Sequence, residues 1–334
     1  MITYKDLSDE ITDKINSVFV QQNCFIDVLP GNVLLPRKFC EIGQSIYDLR
    51  TYSDDVWLVS YPRTGATWTQ EMLWLLGNRL DYEGAKQMQA LRSPLLELSA
   101  LYIVFDYSNS IGNTVDNVRN MSRPRFARSH LPWDLLPQDI ETVKPKIIYI
   151  ARNPKDLCVS YYFYCQLVHG LKGSFEDFLE LFLIGRLPVG SYWNHVLPFW
   201  KRRNDSNILF LKYEDMKSNL PKIVNKCAEF LNIDYKISEE DMQRICAYLK
   251  FEKMQKNPAV NLEPLLNNNN GVDVIQRNDT LNGQGKFIRK GQIGDWKNYF
   301  SDEMSKRFDE WIELNTPGSD LHHLLSRFPC VRLS

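Results

Sequence analysis

Apolar residues in this chain fall into short unbroken runs separated by longer periodic stretches, as buried strands alternating with helices do. Val56 to Ser60 is one run of strand length, and Lys146 to Ala151 is a second, of the kind found in parallel sheets covered on both faces. Arg125 to Ser129 alternates and ends at His130, and Ile208 to Lys212 is a further strand. Between these runs, Trp68 to Leu76 places apolar residues at 68, 72, 75 and 76, close to the helical period, and Gly77 is a plausible stop. Asn153-Pro154-Lys155-Asp156 reads as a helix start, with a cap residue, proline at the first position and an acid in the first turn. The segment with apolar residues at 220, 223, 224, 227, 230 and 231 is another helix. The alternation predicts an α/β fold: a central, mostly parallel sheet flanked by helices on both faces, within a single domain over residues 1–334.

Residues 1 to 50 carry few strong signals, and no internal repeat is visible. Two stretches read as insertions at the sheet edge, about 100–124 and 257–285; the first is rich in Asn, Ser and Gly from residue 106 on, and the second contains Asn267-Asn268-Asn269-Asn270-Gly271. Such loops serve either as substrate covers or as plain surface.

Composition narrows the partners more than the fold. A formal net charge of −1 over 334 residues argues against nucleic acid, since nothing would neutralise a phosphate backbone. The longest apolar stretches, such as Phe178 to Ile184, fall far short of a membrane span. Met1 to Glu10 has no apolar core of a signal peptide, so the expected location is the cytoplasm. The seven cysteines are scattered, with no CxxC pair and no metal-ligand spacing; they read as reduced, and no metal is expected. The sequons at Asn120, Asn204 and Asn278 would matter only in a secreted chain.

The candidate chemistry begins at Tyr61-Pro62-Arg63-Thr64-Gly65-Ala66-Thr67-Trp68, between a strand and a helix start. A helix start offers unpaired N–H groups and a positive dipole end to an anion. Gly65 lets the backbone approach a ligand, Thr67 adds a hydroxyl and Arg63 a fixed charge. Many strand–turn–helix units with a glycine are purely structural, and three sites downstream decide between the readings. A Walker A loop is excluded, because the run has no Gly-Lys pair and no glycine five residues before Gly65.

The first of those sites is Arg152 to Asp156 with Ser160, where a strand end and the first turns of a helix can meet one anion. The second is Phe287-Ile288-Arg289-Lys290-Gly291, continuing to Gly294-Asp295-Trp296-Lys297. The third is Arg128-Ser129-His130-Leu131-Pro132, in which His130 carries an imidazole whose unperturbed pKa, about 6.5, suits a general base.

Together these runs resemble the cytosolic sulfotransferases, which move a sulfuryl group from 3′-phosphoadenosine 5′-phosphosulfate (PAPS) to a small acceptor. The family patterns are Y-P-K-S-G-T-T-W, K-[TS]-H-L-P and R-K-G-x-x-G-D-W, and the resemblance spans about residues 55 to 300. It implies that Arg63, Thr64, Gly65, Ala66, Thr67 and Trp68 bind the 5′-phosphosulfate end, while Arg152, Ser160, Arg289, Lys290 and Gly291 hold the 3′-phosphate. Trp68, Tyr213 and Phe251 match positions that contact adenine. His130 is the implied base of an in-line displacement, with Arg63, Arg128 and Ser160 stabilising charge.

The chain departs from the family at four points. Arg63 and Arg128 stand where the family has lysine, and Ala66 replaces a threonine. The dimer pattern K-x-x-x-T-V-x-x-x-E becomes Lys297, Ser301, Asp302 and Lys306, which implies a monomer or another interface. The acceptor implied is a phenol, catechol, sterol or isoprenoid alcohol, held near Phe25, 100–107, Tyr161 to His169 and 257–285. Two alternatives accompany this reading: a retinol-dehydratase-like enzyme that sulfates and then eliminates, compatible with the Tyr102, Phe105 and Tyr107 cluster, and a non-catalytic cofactor binder.

Overall fold

A computed structural model describes residues 1–104, 108–261, 286–317 and 321. Phe105, Tyr107, Asn267 to Gly271 and the sequon at Asn278 lie outside the described residues.

The chain opens with a small antiparallel sheet of β1 (Thr3–Lys5), β2 (Phe25–Leu29) and β3 (Val33–Pro36), in that order. The main sheet contains β4 (Val56–Val59), β5 (Phe126–Ser129), β6 (Lys146–Ala151) and β7 (Ile208–Lys212), in the order β5-β4-β6-β7 and all parallel. Alternation along each strand divides the interior in two. Trp57, Val59, Ala127, Ile147 and Tyr149 enter one core, while Val56, Leu58, Phe126, Ile148 and Ile150 enter the other. The second core is closed by α1 (Ala66–Gly77), and the first by α2 (Pro154–Val168) and α3 (Tyr192–Lys201). A further helix, α4 (Leu220–Leu231), packs on α1.

This is the expected α/β architecture, and its topology places the site. The chain leaves β4 towards β5 on one side, but leaves β6 towards β7 on the other. Opposed connections open a crevice at the carboxyl ends of β4 and β6, where α/β sheets bind ligands. The loops carrying Arg63 and Arg152 lie at those two strand ends.

Residues 108–119 are not a bare loop. Ser108–Ile111 and Thr114–Arg119 are helical, and Asn113 caps the second by accepting from the N–H groups of Val115 and Asp116. The Thr114 hydroxyl donates to the Leu96 carbonyl at 2.8 Å, which ties the segment to the interior.

Candidate active site

Between β4 and α1 the backbone turns sharply, with Arg63 at φ 71° and Gly65 at φ 101°. Gly65 is required here: a Cβ would add strain in this region and would sit 2.7 Å from the Tyr213 ring. The Thr64 hydroxyl donates back to the Tyr61 carbonyl at 2.9 Å, stiffening the turn. The first intrahelical bond is Thr69 N–H to the Gly65 carbonyl, so the N–H groups of Ala66, Thr67 and Trp68 have no carbonyl within the helix.

Across the crevice, Asn153 caps α2 and Pro154 occupies its first position. Arg152 donates to the Arg63 carbonyl at 3.1 Å and to the Gln292 carbonyl at 3.0 Å, so it clamps the turn to the 286–298 segment. Its guanidinium lies over the Tyr213 ring, 4.5 Å from the centroid. Arg63 Nε donates to Ser160 Oγ at 3.1 Å, which joins the two loops through side chains as well.

The 286–298 segment is fixed to α2 by Asp156, which accepts from the backbone of Gly294 at 2.7 Å and Trp296 at 3.0 Å. Arg289 and Lys290 both pair with Asp295, at 2.7 and 3.0 Å. Burial raises the Asp295 pKa, but the hydrogen bonds from these two cations prevail and hold it below the ordinary carboxylate value. Gly291 has φ 62°, and a Cβ there would meet the Phe251 ring at 2.4 Å.

His130 follows β5. Its Nδ1 lies 2.8 Å from the Ser60 carbonyl oxygen, an obligate acceptor, so Nδ1 carries the proton and Nε2 keeps its lone pair. Burial, with the positive charge of Arg128, pushes its pKa down to about 3. The ring is therefore neutral at physiological pH. The His130 backbone is held from both sides: its N–H donates to Glu97 at 2.7 Å, and its carbonyl accepts from His195 at 3.0 Å.

These elements enclose one cavity of about 370 Å³. Arg63, Arg128, Arg152, Arg289 and Lys290 line it, as do Gly65, Ala66, Thr67, Ser160 and Gly291. Trp68, Tyr213 and Phe251 line it too; Trp68 and Tyr213 meet edge to face, with centroids 5.8 Å apart. His130 lines it with Tyr102, Tyr164 and Phe287.

Residues 53–324 match the sulfotransferase domain family. The chain belongs to the sulfotransferase family. It is 35% identical to luciferin sulfotransferase from Photinus pyralis, over 93% of this chain and 85% of that protein. It is 34% identical to sulfotransferase 1E1 from Bos taurus, over 87% and 93% of the two chains. Among solved structures, retinol dehydratase in a complex with retinol and PAP superposes with a TM-score of 0.82, at 30% identity over 98% of this chain and 99% of that one.

The cavity of this sulfotransferase fits PAPS. Trp68 Nε1, Arg128 Nε and Arg152 Nε are buried donors without a hydrogen-bond partner among the described residues, and all three side chains line it. Such donors are costly unless a ligand rich in acceptors meets them. The enzyme is a PAPS-dependent sulfotransferase.

Sequence reasoning and structure differ at a few residues. Thr64 is fully buried and does not line the cavity, so its hydroxyl braces the turn instead. Phe25 packs on Phe19 in the core and borders a separate small recess. Tyr161 points away, donating to the Pro188 carbonyl at 2.6 Å. Sequence reading missed Glu97, Gln89 and the Ser60 carbonyl. Glu97 and Gln89 sit in the largely apolar stretch 88–101, and polar residues inside such a run were the available signal. Among the described residues, no group of His, Cys, Asp and Glu is arranged to hold a metal, and no helix is long and apolar enough to cross a membrane.

Proposed function

We propose that this enzyme, a single cytoplasmic domain, transfers the sulfuryl group of PAPS to the hydroxyl of a small, largely apolar acceptor, with His130 as general base. The observation that carries the reading is the neutral His130, its Nδ1–H committed to Ser60 and its Nε2 lone pair left for the acceptor's proton.

The donor supplies an activated sulfuryl group on a phosphate leaving group. Arg63, Ala66, Thr67 and the N-terminus of α1 would hold its 5′ end; Ser160, Arg152, Arg289, Lys290 and Gly291 would hold the 3′-phosphate. Trp68, Tyr213 and Phe251 would flank the adenine. His130 Nε2 takes the hydroxyl proton as the acceptor oxygen attacks sulfur. Negative charge gathering beside Nε2 raises its basicity at that moment. Arg63 and Arg128 stabilise the charge spreading over the sulfuryl oxygens. Tyr102, Tyr164 and Phe287 supply an aromatic wall for the acceptor, consistent with relatives named for luciferin and retinol.

Incubating the protein with PAPS and a panel of phenols, catechols, sterols and isoprenoid alcohols, and reading products by mass spectrometry, tests this. We expect a sulfated product and at least a hundredfold loss in His130→Asn, on the order of 10²–10⁴ for losing a general base. Unchanged turnover in His130→Asn would remove the histidine from the mechanism. The likeness to retinol dehydratase over 98% of the chain supports a second reading, in which an allylic alcohol is sulfated and then eliminated. A dehydrated, conjugated product would select it; cofactor bound without any product would select the non-catalytic binder.

The residues Lys297, Ser301, Asp302 and Lys306 favour a monomer or another interface over the usual family dimer. Ser301 caps α5 (Asp302–Asn315) by accepting from the Met304 N–H, Lys306 faces Glu310 of the same helix, and Asp302 is exposed.

A further inference from the structure

We infer that Gln89 is a positioning residue whose side-chain amide holds the Arg128 guanidinium at the cavity wall. The inference rests on the assignment of Arg128 to the sulfuryl oxygens and deepens it. Gln89 opens the short helical turn Gln89–Arg92 and is 1% exposed. Its Oε1 accepts from Arg128 Nη1 at 3.0 Å. Its Nε2 donates to Glu71 Oε2 at 2.7 Å and to the Thr67 carbonyl, at the start of α1, at 3.1 Å.

This pattern leaves the amide one orientation. Turned over, it would point N–H groups at a guanidinium and an oxygen at a carboxylate. Glu71 is itself fully buried, accepting from Arg92 at 2.5 Å and from the Tyr248 hydroxyl at 3.0 Å. The Gln89 backbone N–H donates to the Ala259 carbonyl at 2.7 Å. The amide is therefore fixed at both ends before it meets Arg128.

The choice of a neutral partner has a consequence for charge. Of the buried arginines, Arg92 and Arg125 pair with carboxylates, at Glu71 and Asp55, whereas Arg128 and Arg152 at the cavity pair with none among the described residues. Arg128, 5% exposed, makes no ion pair among the described residues, and its Nε has no hydrogen-bond partner there. An amide oxygen orients the guanidinium without neutralising it, so the whole charge stays available to an anion in the cavity. A carboxylate in the same place would spend that charge on itself.

The test compares Gln89→Leu in the wild-type and Arg128→Met backgrounds. In the wild-type background kcat should fall about tenfold to a hundredfold, the span for one hydrogen bond to a charged group. The KM for PAPS should stay within about threefold, and in Arg128→Met the same change should cost less than about twofold more. A crystal structure of Gln89→Leu should show the Arg128 guanidinium displaced or spread over rotamers. An unmoved guanidinium, or an equal loss in both backgrounds, overturns the inference. Should the leucine variant fail to fold, Gln89→Met, unbranched and of similar length, carries the same readouts. If the wild-type enzyme yields no sulfated product, the functional reading falls, while the position of Arg128 in the crystal still decides the role of Gln89.

Discussion

Arg63 holds a guanidinium over the Tyr164 ring, 5.0 Å from its centroid, with Nε bound to Ser160 and its backbone in the left-handed region. Burial lowers its pKa to about 10, and it remains a cation at neutral pH. Whatever help it gives the leaving phosphate is therefore electrostatic rather than by proton donation. Arg63→Lys keeps that charge and should hold kcat within about tenfold; Arg63→Met should lose on the order of 10²–10³, the range for one charge-stabilising donor. Equal turnover in all three would show that Arg63 is not used. The residue types at 63, 128 and 130 are plain in the sequence. What they are bonded to is not: the Ser60 carbonyl that fixes the His130 tautomer belongs to another strand end, and a carbonyl leaves no trace in residue identity.

Elements were legible where periodicity and caps agreed. The runs at 56, 146 and 208 became β4, β6 and β7, and the helix start at Asn153-Pro154 became α2 with its asparagine cap. The small sheet β1–β3 was missed, because residues 1 to 50 carry weak local patterns and its strands are stabilised by pairing with one another. The helical turns at 108–119 were missed for a different reason: Asn113 serves as a cap and Thr114 as an anchor, and such polar residues look like loop composition in sequence. The turn between β4 and α1 is an element with its own prediction. Gly65→Ala places a Cβ at φ 101° and 2.7 Å from Tyr213, so the loop must shift. We expect a PAP affinity at least about tenfold weaker by calorimetry, with a stability loss of about 1–3 kcal/mol. Unaltered affinity would mean that the turn does not approach the nucleotide.

Across the whole molecule, burial of titratable groups links stability to pH. Burial holds His130 and His169 down to about 3 and His195 to about 4, against an unfolded value near 6.5. As pH falls below 6.5 the unfolded chain takes up protons on these rings while the folded chain does not, so stability is lost. Glu97, raised by burial to about 7, acts in the opposite sense: its contribution is full below the unfolded carboxylate pKa and fades as pH rises towards 7. Asp156 and Glu214, also raised by burial, act in the same sense as Glu97, so the three imidazoles leave a net loss of at most about 2 kcal/mol between pH 6.5 and 5.5. Calorimetry should find Tm a few degrees lower at pH 5.5 than at 6.5. A Tm that held or rose would show that these histidines protonate in the folded state.

The sequence alone determined the parallel sheet, the glycine turn before α1 and the identity of the residues that carry charge. Each of these rests on local rules: strand and helix periods, caps, and glycine where the backbone needs it. Which strand ends face each other was settled by the strand order β5-β4-β6-β7, since only the reversal beside β4 brings the 61–65 and 152–160 loops to one crevice. The supports of the site, Glu97 under His130 and Gln89 under Arg128, lie 33 and 39 residues away from the groups they hold. Contacts at that range are made by packing, and nothing in the spacing of residues along a chain encodes them.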